Sequence, residues 1–68
     1  MAVSYKRLWK LLIDRNMTKT EMRKAAGIST GALATLGKNE NVNTEIIVRI
    51  CKALQCDISD VMELTEDK

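Results

Sequence analysis

The 68-residue sequence contains no proline, no phenylalanine and no histidine, and only three glycines, one tryptophan, one tyrosine and two cysteines. Without phenylalanine the core has to be built from Leu, Ile, Val, Met and Ala. The lack of proline and the scarcity of glycine leave few chain breakers and favour an all-helical fold. The absence of histidine removes the commonest general base and a common zinc ligand. Cys51 and Cys56 stand five residues apart with no second pair, which matches neither zinc nor redox spacings, so no metal or other cofactor is expected. Cys51 falls on an apolar helical face and reads as a small buried residue. There is no activated-nucleophile arrangement and no phosphate-cradling glycine loop, so no catalytic residue and no enzyme activity are expected. The apolar run Leu11-Leu12-Ile13 is too short for a secretion signal or a membrane span and is bracketed by Lys10 and Asp14. The expected compartment is the cytoplasm, where both thiols stay reduced.

What is present is charge, unevenly placed. Residues 1–38 hold eight basic and two acidic side chains, and residues 39–68 hold three and seven, although the whole chain is only +2. One half can therefore present a positive face to an anion while the other keeps the molecule soluble. A chain of this length makes one domain with one small core, and residues 1–68 are read as a single domain with no room for an effector site.

The basic half holds the most informative stretch, residues 18–36. Thr18 followed by Glu21 has capping-box spacing. Met22, Ala25 and Ala26 form a short apolar face. Gly27 then supplies a left-handed turn residue, Ile28 plugs beneath the turn, and Ser29 caps a second helix over 29–36 carrying Leu33 and Leu36. Two short helices about a glycine turn form a helix-turn-helix, which can lay its second helix in the major groove of DNA.

Around this unit the periodicity predicts three more helices. Ser4 caps a first helix reaching about Arg15, with Tyr5, Leu8, Trp9 and Leu12 on one face. Asn16 ends it in a left-handed conformation. Gly37 is expected to stop the third helix. A polar loop over 38–43 is broken by Val42, expected to be buried. Asn43 caps a fourth helix built on Ile47, Ile50, Cys51 and Leu54. Asp57 and Ser59 offer caps for a fifth, in which Val61, Met62 and Leu64 pack inward. Residues 65–68 are charged and expected to fray.

In its residues Thr18, Glu21, Met22, Ala26-Gly27-Ile28-Ser29, Leu33 and Leu36 the chain resembles the Cro/CI-type helix-turn-helix family of small bacterial and phage regulators. The likeness continues through residues 37–42, 50–54 and 56–62. Arg23 stands where the wider family holds an alanine against the recognition helix. The resemblance implies a five-helix, lambda-repressor-like all-α DNA-binding domain that acts as a transcriptional regulator. A repressor is expected rather than an activator, since a single domain can block a promoter but has little surface to spare for polymerase. It implies a homodimer bound to double-stranded DNA at an inverted-repeat operator. Carried over residue by residue, it places Thr30, Gly31 and Thr35 against base edges and Lys19, Arg23, Lys38, Asn39 and Asn41 against the DNA backbone.

The base-facing set is lean. It lacks the bidentate Arg–guanine and Asn/Gln–adenine pairs, although threonine methyls suit thymine. Gly31 costs helix stability without helping packing, which points to close approach by another backbone. Lys19 opposes the dipole at a helix N-terminus, where a phosphate would be welcome. The competing reading is a protein-interaction module that uses the same helical fold without DNA.

Overall fold

The computed structural model describes residues 2–65. A strand β1 (Ala2–Ser4) leads into four helices, α1 (Lys6–Asp14), α2 (Lys19–Ala26), α3 (Thr30–Gly37) and α4 (Thr44–Leu54). A one-turn 3-10 helix over Ile58–Asp60 and a strand β2 (Glu63–Thr65) follow. The core is aliphatic, as the composition requires: Leu8, Leu12, Met22, Ala26, Ile28, Leu36, Ile47, Ile50, Leu54 and Val61 are buried, with Tyr5 the one buried aromatic residue. The helical faces read from the sequence supply most of these positions. Helix α4 packs chiefly on α2 and presents Ile47, Ile50 and Leu54 inward. Cys51 on the same face is only half-buried, Ala25 is exposed, and Ile13 and Leu64 stand out in solvent.

Among the described residues, the expectation of five helices is corrected to four helices, a 3-10 turn and a strand pair. Ala2, Val3 and Ser4 pair antiparallel with Thr65, Leu64 and Glu63. The Thr65 hydroxyl also donates to the Ala2 carbonyl, and Arg7 Nε meets Glu63 Oε1 at 3.1 Å. The chain after Asp57 makes one capped turn, in which the Asp57 N–H donates to Asp60 Oδ2 at 3.1 Å. Val61 then anchors in the core and the chain turns extended. Pairing between segments some sixty residues apart outweighs the weak local preference for another helical turn, and no periodicity within three residues can announce it. Thr65 is thus held by a strand partner rather than frayed; the remainder of the expected frayed segment lies outside the described residues.

Helix ends show the same division. Asn16 is left-handed (φ 54°), as its residue type suggests. Helix α1 starts from Tyr5 without a side-chain cap at that position, although Ser4 Oγ accepts the Lys6 N–H at 3.3 Å. Asn43 is the N-cap of α4 but makes no side-chain cap bond. Gly37 does not stop α3: it is the last helical residue, and the left-handed position falls two residues later at Asn39 (φ 56°). Val42 is half-buried rather than buried.

Candidate nucleic-acid interface

The first helix of the motif is locked at its start by a reciprocal pair of bonds. The Thr18 N–H donates to Glu21 Oε1 at 2.8 Å, and the Glu21 N–H donates to Thr18 Oγ1 at 3.1 Å. The Thr18 backbone N–H first and the Thr18 hydroxyl second, acting on the carboxylate, hold Glu21 below its ordinary value. Lys19, the next residue, is exposed, and its ammonium lies 4.4 Å from the centroid of the Trp9 ring. A cation over an indole face is attracted by the ring quadrupole. The lysine that opposes the helix dipole therefore has a partner inside the fold, supplied by α1.

The turn is built as its residues require. Gly27 has φ 68°, a conformation that strains any side chain. The Ile28 N–H returns to the Arg23 carbonyl at 3.1 Å, closing the end of α2 and driving Ile28 into the core. Two arginines brace this turn. Arg23 is half-buried, and its guanidinium donates to the Ile28 carbonyl at 3.4 Å. Arg49 reaches from α4 to the Gly27 carbonyl at 3.2 Å while holding Glu45 at 2.8 Å. Arg23 thus fills the place where an alanine is usual by turning its head to the loop. The bracing role of Arg49 was not legible in the sequence, because nothing local ties it to a residue 22 positions away.

Helix α3 begins at Ser29, whose Oγ accepts the Ala32 N–H at 3.1 Å. Leu36 is fully buried and anchors the helix, while Leu33 is half-buried at its margin. Thr30 and Gly31 are exposed and Thr35 is half-buried. The Thr35 hydroxyl donates to the Gly31 carbonyl at 3.0 Å. Its proton is therefore used within the helix, and what it offers outward is an oxygen acceptor and a methyl. A Cβ added at Gly31 would meet Ser29 Oγ at 3.7 Å, ordinary contact. Nothing in the fold demands glycine there.

Beyond α3, Lys38 and Asn41 are exposed. Asn39 is exposed too, but its Oδ1 accepts the Tyr5 N–H at 3.1 Å, and the Tyr5 hydroxyl donates to the Glu40 carbonyl at 2.7 Å. The loop that follows the recognition helix is thereby pinned to the start of α1. Tyr5, read from the sequence as a core residue, also fixes the loop that carries three of the expected backbone contacts.

The structure thus sets Lys19 at the start of α2, Thr30 and Gly31 at the exposed start of α3, and Lys38, Asn39 and Asn41 just past its end. This is the arrangement of a DNA-binding helix-turn-helix. A family model of the Cro/C1-type HTH DNA-binding domain matches residues 7–67, and the chain belongs to that family. It is similar to an uncharacterized HTH-type transcriptional regulator, YozG, of Bacillus subtilis (strain 168), at 33% identity over 60 residues, covering 85% of this chain and 71% of that protein. It is also similar to the crystal structure of the transcriptional regulator VanUg, with a TM-score of 0.90 and 53% identity over 96% of this chain and 88% of that one. Among the described residues, no helix is long and apolar enough to cross a membrane.

Proposed function

We propose that this protein is a small, non-enzymatic transcriptional repressor of the cytoplasm that works as one domain. It binds double-stranded DNA as a homodimer on an inverted repeat. Helix α3 enters the major groove with Thr30, Gly31 and Thr35 toward base edges, and α2 crosses the backbone. Lys19, Arg23, Lys38, Asn39 and Asn41 hold phosphates; Arg23 and Asn39 do so with whatever capacity their bonds to Ile28 and Tyr5 leave. The observation that carries this reading is the exposed start of α3, with a glycine the fold does not need, flanked by Lys19 and Lys38. Repression fits a small protein better than activation, because blocking a promoter needs no spare surface for polymerase.

The dimer supports the same reading: one lean recognition helix contacts too few base pairs to find a site among genomic competitors. Its seam is proposed at the apolar groove between α4 and the 3-10 turn, where Val48 and Ile58 are 43% and 49% exposed. Selection of DNA fragments by the purified protein, followed by footprinting, tests the proposal. The expected result is a palindromic site with two protomers at saturation, recognition helices about 34 Å apart. Val48→Glu should reduce two-protomer binding and leave the monomer folded.

A second reading, a protein-interaction module without DNA, draws on the intrahelical use of the Thr35 hydroxyl, which thins the base-reading set further. Retention on heparin and a shift of random duplex would decide against it; absence of both would favour it.

A further inference from the structure

Cys51 and Cys56 have no part in the DNA-facing surface, yet the fold brings them together. Helix α4 ends with Gln55 in the left-handed conformation (φ 51°). The Gln55 N–H turns back to the Lys52 carbonyl at 3.4 Å and the Cys56 N–H to the Cys51 carbonyl at 3.0 Å. This is the Schellman pattern, in which the side chains on either side of the left-handed residue meet. Standard bond lengths and the 3.0 Å hydrogen bond hold the two Cα atoms within roughly 7 Å by even the straightest path, and closer for any bent one. That is the range a disulfide spans. Both residues are free and half-buried, and both line the groove between α4 and the 3-10 turn.

We propose that Cys51 and Cys56 form a reversible dithiol–disulfide couple within one chain, a modification site that takes a low-molecular-weight disulfide such as oxidised glutathione as its oxidant. The thiolate of one cysteine attacks one sulfur of that disulfide, forming a mixed disulfide and releasing one thiol. The thiolate of the other cysteine then attacks the protein sulfur of the mixed disulfide and releases the second. Two electrons pass from the protein to the oxidant, and the two cysteine protons end on the two small thiols. Either cysteine can enter first, since both are half-buried in the same groove. Arg15, just past α1, favours the Cys56 thiolate, and Asp57 and Asp60 oppose charge on either sulfur. Burial, the largest influence on each, raises both thiols above their ordinary value. The reaction is therefore slow near neutrality and accelerates with pH. Once formed, the bridge pins the left-handed turn and the capped Asp57–Asp60 segment onto α4.

The test is intact-mass analysis and thiol titration of the native full chain after incubation with oxidised glutathione across neutral to alkaline pH. The expected product is a monomer lighter by two hydrogens, both thiols lost together, restored by dithiothreitol, with a rate that climbs with pH. Cys51→Ser should trap a glutathionyl adduct at Cys56, and Cys56→Ser one at Cys51. A stable double adduct, a disulfide-linked dimer, or thiols that react only after denaturation would overturn the proposal. DNA binding is not a readout here, so failure of the couple leaves the DNA-binding reading untouched; the thiols line the groove proposed as the dimer seam, so the titration is run on free protein at a concentration where it is monomeric.

Discussion

The ammonium of Lys19 lies 4.4 Å from the centroid of the Trp9 ring, joining the start of the motif's first helix to the helix before it. The same charge that would meet a DNA phosphate is thus held over the chain's sole tryptophan. The ring limits where the lysine can go and would lower the entropy lost on meeting a phosphate.

That pairing makes Trp9 a reporter. Titration with duplex should change its fluorescence as the ammonium shifts toward phosphate, and Lys19→Ala should abolish most of that change. Lys19→Ala should also weaken operator and random duplex alike and lower the log–log salt slope by about one per protomer. An unchanged salt slope in Lys19→Ala would remove Lys19 from the phosphate contacts.

Gly31 separates folding from binding. Alanine fits there, since its Cβ meets only Ser29 Oγ at 3.7 Å. Gly31→Ala should therefore raise stability by roughly 0.5–1 kcal/mol through helix propensity. If a DNA strand approaches this backbone closely, the same methyl should weaken operator binding. Thermal unfolding and gel shifts on one preparation check both; a more stable variant with undiminished affinity would show that nothing comes close to Gly31.

Thr35 should act on base preference alone. Thr35→Ala removes the methyl and the remaining acceptor, and should relax preference at one or two operator positions by roughly 1–3 kcal/mol each. Random duplex should be bound as before, because the phosphate contacts remain. Equal loss on operator and scrambled duplex would contradict a base-facing Thr35.

Leu36 is the anchor of the recognition helix. It has no exposed surface, whereas Leu33 is half-buried. Leu36→Ala should cost roughly 2–5 kcal/mol, a large part of the stability of so small a core, and Leu33→Ala distinctly less. Chemical denaturation of the two variants gives the order.

Burial raises the Tyr5 phenol above its ordinary value of 10.0, outweighing a hydrogen bond from the Val42 backbone that lowers it. The unfolded chain therefore releases this proton at lower pH than the folded one. The phenol's contribution is complete below the ordinary value and is lost as pH rises toward and through the folded value. Stability should fall as pH rises past the ordinary value of 10.0 and through the folded value, and less steeply in Tyr5→Phe. The variant, which lacks the bond to Glu40, should start from a lower plateau.

Much of this molecule is written locally. Thr18 and Glu21, Gly27, Ser29 and Asn16 act on neighbours within a few residues, and each takes the conformation its side chain dictates. Helical spacing likewise marks Leu8, Leu12, Ile47, Ile50 and Leu54 as core, because a 3.6-residue period is visible in sequence order alone. The same local logic selects Thr30 and Gly31 as outward residues of the recognition helix.

The remainder depends on partners distant in the chain. Gly37 is a competent helix stop, but the helix runs through it and ends where Asn39 can turn and take the Tyr5 N–H. The last segment carries helix caps, but pairing of Glu63–Thr65 with Ala2–Ser4 makes it a strand. Arg49 and Arg23 read as ordinary charges until their guanidinium groups reach the carbonyls of the motif's turn. The sequence by itself determined the four helices, the caps at Thr18 and Ser29, most of the aliphatic core and the basic helix-turn-helix. Tertiary structure alone decided the strand pair, the bracing of the turn, the pinning of the loop after α3 and the hold of Trp9 on Lys19, because a hydrogen bond or cation–π contact across tens of residues leaves no periodic trace in either partner's own segment.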